Sequence, residues 1–337
     1  MTTYAQAGVD LDAARQAKRL MAEAVRSTHG PAVLASMGAF GGAFDLQEAI
    51  ARHAQSVLVA STDSVGTKVL IARAVGRYGS VGEDIVNHCI NDILVQGARP
   101  LFFLDYIASA RLEPAEVAEI VGGIAVACRE ARCALLGGET AQLPDVYLAD
   151  AFDVAGTVVG IVDRSRLVAG TTIVPGDAVL GLRSTGLHTN GYSLARRVCD
   201  PLGYDSRPDE LDGATLGDAL LAVHRSYLDQ IETLWQSGIA VKGMAHITGG
   251  GLVENVPRML PPGCGVMLRR GSWPIPPIFT FLLGRAGLAE EEAFRVFNMG
   301  VGMALVVDRS DVDQVRVLLP EADPIGEVVA GAGVELA

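Results

Sequence analysis

Apolar residues recur along this chain with two alternating periods. Residues 56–62 form a short β-branched run that predicts a strand. Over 82–96 the apolar positions Ile85, Val86, Cys89, Ile90, Ile93 and Leu94 fall three and four apart, the stripe of a helix. Residues 100–106, rich in Leu and Phe, predict a second strand. Residues 113–132 predict a long helix with Pro114 in its first turn, where a missing N–H costs little. Strands follow at 133–136 and 152–162. Between 169 and 177, Gly170, two threonines, Pro175 and Gly176 interrupt both periods, so a domain boundary is expected there. The expected domains are 1–169 and 170–337. The second begins with a strand at 178–182. Helices are expected at 193–198, 218–236, 252–259, 278–284 and 290–296, and strands at 266–269, 303–307 and 326–329. The alternation places both halves in the α/β (α+β) class. Residues 38–44, with three glycines and two phenylalanines, read as a mobile loop, either a flap over a ligand or an ordinary connection.

Composition narrows the partners. At 337 residues the chain can bury two substantial cores. A net charge of -12 without a block of Lys or Arg argues against nucleic acid or an anionic membrane as the main partner. Such a chain can still bind small anions, because metal ions and oriented N–H groups reverse the sign locally. Five cysteines without a C-x-x-C pair suggest free thiols in a reducing cytoplasm. Asp10, Asp12 and Arg15 break up the first 19 residues, and no uncharged apolar run has bilayer length. A cytoplasmic protein is expected.

The candidate chemistry lies in carboxylate- and glycine-rich segments. Asp63 ends the first strand and enters a turn with Gly66, Thr67 and Lys68. Its carboxylate could hold Mg²⁺ and Lys68 could reach a phosphate; an Asx-turn beside a solvated lysine is the plain alternative. On the predicted helix, Asp84, His88 and Asp92 share one side, with Asn91 beside them. Asp92 could face a metal. Asp84 reads as a water-facing residue and His88 as a surface or inter-subunit one. Gly137-Gly138-Glu139-Thr140 follows an apolar strand, and its glycines would let the backbone approach a ligand while Glu139 turns inward. No Walker A loop is present, so ATP would be used through metal-bridging carboxylates, Asp63, Asp92 and Glu139. In the second half, His188, Thr189 and Asn190 cluster at a predicted helix start. His188 could protonate or polarise a reacting oxygen, or simply cap the loop. Gly249 and Gly250, within Thr248-Gly249-Gly250-Gly251, enter another predicted helix and form a second candidate phosphate cradle.

At these residues the chain resembles the phosphoribosylformylglycinamidine cyclo-ligase (aminoimidazole ribonucleotide synthetase) family. The likeness runs from Tyr4 and Ala7-Gly8-Val9-Asp10 to the C-terminal strand. It is carried by Thr62-Asp63 with Val65-Gly66-Thr67-Lys68, Asn91-Asp92 with Val95-Gln96-Gly97-Ala98, and Gly137-Gly138-Glu139-Thr140-Ala141. His188-Thr189-Asn190-Gly191-Tyr192-Ser193-Leu194, Thr248-Gly249-Gly250-Gly251 and Phe297-Asn298 add to it. The resemblance implies ATP-dependent closure of formylglycinamidine ribonucleotide to aminoimidazole ribonucleotide, by phosphorylation of the formyl amide oxygen and intramolecular nitrogen attack. It implies a homodimer whose N-terminal sheets build a shared barrel, with a C-terminal α/β sandwich.

Carried over, Asp63, Asp92 and Glu139 would hold Mg²⁺ and triphosphate. Gly66, Thr67, Lys68, Asn91, Gly138, Thr140, Gly249 and Gly250 would assist, and the loop with Gly41 and Gly42 would fold over ATP. His188 and Asn190 would face the substrate or the transferred phosphoryl group, with Lys68 assisting. The chain departs from the family pattern at Ser61 and Ser64, where glycines are usual. Gln142 replaces a Glu, Ala22 a Lys, Gln6 an Asp, and Ala149-Asp150 a Gly-Glu. The alternatives are another ATP-using member of the superfamily, or a nucleotide-binding paralogue without turnover.

Overall fold

The computed structural model describes residues 10–35, 38–111 and 113–337. They form two compact units: Met1–Ile93 with Ala98–Arg166, and Leu94–Gly97 with Leu167–Ala337. Gln6 lies outside the described residues.

The N-terminal unit contains α1 (Leu11–Arg26), a single turn α2 (Gln47–Ile50), β1 (Ser56–Ser64), α3 (Lys68–Val75), α4 (Gly79–Leu94), β2 (Arg99–Ser109), α5 (Pro114–Glu130), β3 (Ala134–Gln142) and β4 (Phe152–Asp163). Its sheet has the order β1-β4-β2-β3. β4 is antiparallel to both β1 and β2, while β3 runs parallel to β2. The C-terminal ends of β1, β2 and β3 therefore lie along one edge. Side chains alternate across the strands. Val59, Phe103, Ile107, Leu135, Val154 and Val158 share the buried face. The other face leaves Leu58 57% and Tyr106 36% exposed. α1, which the apolar pattern did not predict, starts where the Asp10 carboxylate accepts the N–H groups of Asp12 and Ala13 at 2.9 and 3.0 Å.

Two expectations in this unit need correction. The strand expected at 133–136 continues through Gly137-Gly138-Glu139-Thr140 to Gln142, because β2 offers a parallel ladder along the whole stretch. Residues 38–44 are not simply a loose loop. The Leu34 N–H donates to the Ala43 carbonyl at 2.8 Å and the Asp45 N–H to the Ala32 carbonyl at 2.7 Å. Phe44 packs against Phe102 with ring centroids 5.4 Å apart. A side chain at Gly42 would put its Cβ 2.4 Å from Leu136 Cγ, so this backbone lies against β3.

The C-terminal unit contains β5 (Ala178–Arg183), α6 (Tyr192–Cys199), α7 (Leu216–Leu220), α8 (Leu228–Gln236), β6 (Gly243–His246), α9 (Gly251–Asn255), β7 (Cys264–Leu268), α10 (Pro277–Ala286), α11 (Glu290–Val296), β8 (Val301–Val307), α12 (Val312–Leu318), β9 (Ala322–Ala330) and β10 (Gly333–Leu336). Its six strands are ordered β10-β7-β9-β5-β8-β6. β8 is buried along its entire length.

The helix expected at 218–236 is instead two helices, α7 and α8, with irregular backbone over 221–227. Contacts elsewhere in the unit hold that stretch out of helix. The Leu220 carbonyl accepts from Tyr192 Oη at 2.6 Å, the Val223 carbonyl accepts from Thr185 Oγ1, and Arg225 pairs with Glu321 at 2.7 Å. The helix expected at 252–259 likewise ends at Asn255 and continues as a 3₁₀ turn containing Pro257.

One charged pair ties α3 to α4. Lys68 Nζ lies 2.7 Å from Asp84 Oδ2, and neither side chain has exposed surface. This corrects two expectations: Asp84 does not face water, and the Lys68 charge is turned inward to Asp84 rather than out to a phosphate. Burial pulls the Lys68 amine below its ordinary range, while Asp84 and Glu83 pull it back up. Lys68→Ala would leave a buried carboxylate without its counter-charge. We expect a loss of about 3–5 kcal/mol of stability, measured by urea unfolding. The double replacement Lys68→Met with Asp84→Leu should recover most of it. If the single variant unfolds within about 1 kcal/mol of the native chain, the pair does not act as described.

Candidate active site

α4 carries a polar ridge as well as its apolar stripe, and the ridge is turned inward. His88 is 4% exposed, which corrects the reading of it as a surface residue. Its Nε2 lies 2.9 Å from Asp63 Oδ2 and 3.7 Å from Asp92 Oδ2. Asp63 on β1 and Asp92 on α4 are thus brought around one point. Asp63 remains 43% exposed and Asp92 27%. Ser61 Oγ donates to Asp92 Oδ2 at 2.9 Å. The serine that departs from the family pattern is therefore part of the site, since a glycine there would have no such donor. Gln142, another departure, accepts the Asp10 N–H at 2.9 Å. Asn91 is wholly buried beside Asp92, so its side chain belongs to the interior of the unit rather than to an open ligand surface.

Burial pulls His88 down, but the Asp63 contact and the Asp92 and Asp84 charges outweigh it, so its imidazole is held above 6.5. Burial works against the Asp63 carboxylate, but His88 outweighs it and keeps Asp63 below 3.8.

The strand register separates Glu139 from this pair. A row of cross-strand partners runs Asp63, Gly156, Asp105, Gly138. Glu139 belongs to the next row, Ser64, Ala155, Tyr106, Glu139, and so projects to the opposite face. β1 and β3 are three strand spacings apart, roughly 14 Å. Within one chain, then, Asp63 and Asp92 converge and Glu139 does not join them, a correction to the expected three-acid set.

Gly138, just before Glu139, makes room for a neighbour rather than a turn. A side chain at Gly138 would place its Cβ 2.2 Å from Asp105 Oδ1. Asp105 is a residue the sequence reading missed. The residue is half-buried; burial, with a smaller push from Glu139, raises its carboxyl to about 7. Only its place in a Leu- and Phe-rich strand could have pointed to it. Thr140 follows on the buried-face side of β3, opposite Ile107. Gly66 and Thr67 form the turn into α3, with Gly66 at φ +70 and Thr67 as the N-cap. Gly41, like Gly42, lies in the tethered 38–44 segment.

In the C-terminal unit the structure gathers His188, Asn190 and Gly249. His188 has no exposed surface and adopts φ +62, an uncommon conformation outside glycine. The Thr185 N–H donates to its Nε2 at 3.3 Å, so the neutral ring carries its proton on Nδ1. Asn190 is half-buried; its Nδ2 donates to Thr189 Oγ1 at 3.4 Å, and a Cβ at Gly249 would stand 3.4 Å from its Oδ1. Gly250, at φ +92, caps α9, which has only five residues and so offers little helix dipole. Asn255 Nδ2 reaches the carbonyls of Gly249 and Gly251 at 3.1 and 2.9 Å and holds the turn. The sequence reading also missed His224 and His246, both buried beside His188. Three histidines so far apart in the chain carry no local signal.

Comparisons with known proteins bear on this arrangement. Residues 46–162 match the family model described as AIR synthase related protein, N-terminal domain, and residues 174–337 match its C-terminal domain. A phosphoribosylformylglycinamidine cyclo-ligase from Geobacillus thermodenitrificans is 50% identical, covering 98% of this chain and 96% of that relative. One from Gloeobacter violaceus is 45% identical, covering 99% of each. The chain belongs to the phosphoribosylformylglycinamidine cyclo-ligase family. Among solved structures, Escherichia coli HypE superposes with a TM-score of 0.70 at 20% identity, covering 96% of this chain and 93% of HypE. Thiamine-monophosphate kinase from Stenotrophomonas maltophilia gives 0.69 at 17%, covering 94% and 95%. A HypE structure in complex with ATP gives 0.65 at 19%, covering 95% and 91%. These three likenesses establish the fold, and the mixed two-unit architecture expected from the sequence is borne out. Among the described residues no helix is long and apolar enough to cross a membrane.

The His88 contact has a pH signature. In metal-free buffer the His88 imidazole should titrate above 6.5 by NMR, and Asp63→Asn should lower its midpoint because a main source of the upward shift is gone. The stability from this contact is fully present below pH 6.5 and fades as pH rises through the raised His88 value. At the acid end it is present above 3.8 and fades as pH falls through the lowered Asp63 value. A His88 midpoint unchanged by Asp63→Asn would refute the contact.

Proposed function

We propose that this chain closes the imidazole ring of 5-aminoimidazole ribonucleotide from formylglycinamidine ribonucleotide, consuming ATP and releasing ADP and phosphate. The observation that carries the reading is near-full-length identity of 50% to a cyclo-ligase, set beside 17–20% to the kinase and HypE structures of like fold. The ATP-bound HypE of the same fold supports nucleotide use. The alternatives with another acceptor rest on the weaker likeness.

Asp63 and Asp92 fit a divalent cation: two partly exposed carboxylates approach a single nitrogen, His88 Nε2, within 2.9 and 3.7 Å. They would hold Mg²⁺, which when bound neutralises polyphosphate charge and favours phosphoryl transfer. Gly66 and Thr67, at the mouth of α3, would supply backbone donors to the phosphates. Glu139, on the opposite sheet face, is assigned to nucleotide contact across a dimer rather than to the same cation in one chain. Lys68 is left out of the phosphate site because it is buried on Asp84.

In the C-terminal unit His188 and Asn190 would face the substrate. His188, its proton fixed on Nδ1 by the Thr185 contact, would hold a proton at the reacting oxygen as the phosphorylated formyl carbon takes the intramolecular nitrogen and phosphate leaves. The ring-forming nitrogen gives up one proton to complete the balance. A homodimer is part of the reading. The open face of the N-terminal sheet, with Leu58 and Tyr106 exposed, is the apolar surface a second copy would cover.

Incubation with formylglycinamidine ribonucleotide and Mg·ATP should yield ADP and aminoimidazole ribonucleotide in equal amounts. ATP loss without the imidazole would move the assignment to another acceptor. Absence of ATP loss in a properly folded sample would leave only binding. For the dimer, light scattering should give twice the chain mass for the native protein and the single chain mass for Leu58→Arg. A native chain that scatters as a monomer at tens of micromolar would remove the dimer from the proposal.

A further inference from the structure

His224 stands at the middle of the irregular 221–227 stretch, with no exposed surface. Its ring lies flat on His188, with centroids 4.1 Å apart and planes 18° from parallel. Both of its nitrogens are occupied. Nδ1 lies 3.3 Å from Thr189 Oγ1, and Nε2 lies 3.0 Å from Nε2 of His246 at the end of β6. A contact of that length between two imidazole nitrogens needs one N–H and one lone pair, so each ring fixes the other's tautomer. Tyr227 flanks His188 on another side, its ring centroid 6.3 Å away and its Oη donating to the Arg183 carbonyl at 3.0 Å. A side chain at Gly302 on β8 would put its Cβ 1.9 Å from Tyr227 Oη and 2.5 Å from His188 Cε1, so the strand below must be bare there.

Three buried imidazoles invite a metal reading, since their nearest nitrogens lie within 4.8 Å of one another. The stack argues against it. An imidazole binds a metal in its own ring plane at about 2.0–2.1 Å. Two nearly parallel rings lying face to face cannot both contain one ion in their planes. What the flat contact does supply is orientation. It fixes the plane of His188 without taking up either of that ring's nitrogens, and His224 is in turn fixed by Thr189 and His246.

We propose that His224 is a positioning residue for ring closure: its stacked ring, anchored by Thr189 and His246, sets the plane in which His188 meets the substrate. The inference rests on the reading of His188 given under Proposed function, and it names a residue outside the motifs that carry the family likeness. It also accounts for the interruption between α7 and α8. A continuous helix over 218–236 would carry position 224 as one more residue on a regular helical face, whereas the irregular backbone delivers it to His188.

Three variants of the full chain test this: His188→Ala, His224→Ala and His224→Phe, with melting curves to confirm folding. His224→Ala should lower kcat on the order of 100-fold, the scale of a misplaced catalytic group, with KM for ATP within about twofold. His224→Phe keeps a flat ring and should recover at least a tenth of native kcat. In NMR spectra the His188 Cε1–H signal, shifted upfield by the neighbouring ring in the native chain, should move downfield in His224→Ala and stay in His224→Phe.

A folded His224→Ala with native kcat overturns the inference while leaving His188 in its role. So does a His224→Phe that keeps the shifted signal yet turns over no faster than His224→Ala, since the nitrogens and not the stack would then matter. If His188→Ala itself retains native turnover, the reading of His188 fails and the positioning role falls with it. Tight one-to-one uptake of Co²⁺ that His224→Ala abolishes would replace positioning with a metal centre.

Discussion

The N-terminal unit depends on a contact between two charges from which water is excluded. Lys68 and Asp84 have no exposed surface, and taking either from water alone would cost several kcal/mol. Only the 2.7 Å approach of the two makes their burial tolerable. Because the pair joins the first turn of α3 to α4, it fixes where α4 lies and how it is rotated. One and two helical turns on from Asp84 come His88 and Asp92, so the same rotation presents both to β1. The partly exposed site acids are placed by a pair that never meets solvent.

The sheet contributes a second constraint through the residues it omits. In the row Asp63, Gly156, Asp105, Gly138, acids and glycines alternate across four strands. Cross-strand neighbours on one face stand about 5 Å apart, so four side chains there would crowd. The bare position at Gly138 gives the Asp105 carboxyl its space, and burial raises it to about 7. A group with that value changes charge near neutrality, in the same cross-strand row as Asp63. The alternation of faces that orders this row also sends Glu139 the other way.

Much of the fold was legible in the sequence, because apolar periodicity reports burial directly. Ile85, Val86, Cys89, Ile90, Ile93 and Leu94 are all without exposed surface, as their spacing predicts. The polar side of the same helix was misread at Asp84 and His88. Whether a charged residue is buried depends on a partner from another element, and no local window contains Lys68 or Asp63. The strand expected at 133–136 stops before Gly137-Gly138 because glycines usually weaken strands; here the ladder to β2 prevails over propensity. Asp63, Asp92 and His188 were legible as chemistry-bearing residues, but their neighbours Ser61, Asp105, His224 and His246 were not. Those four become visible only through distance.

The C-terminal cluster shows why regular patterns fail at such places. His188 holds a left-handed backbone that costs on the order of 1–3 kcal/mol, and His224 lies where a helix would otherwise continue. Neither arrangement is what its local sequence prefers. Both persist because surrounding contacts over-determine them: Tyr192 on the Leu220 carbonyl, Thr185 on the Val223 carbonyl, Arg225 on Glu321, and the bare strand at Gly302. A segment held this firmly against its own propensity implies that the delivered side chain does something a regular helix could not. Three distant tethers for one buried imidazole are more than packing requires: a leucine would fill a similar volume but would leave Thr189 and His246 without the partner that His224 supplies. Orientation of the neighbouring ring is the property a leucine could not supply.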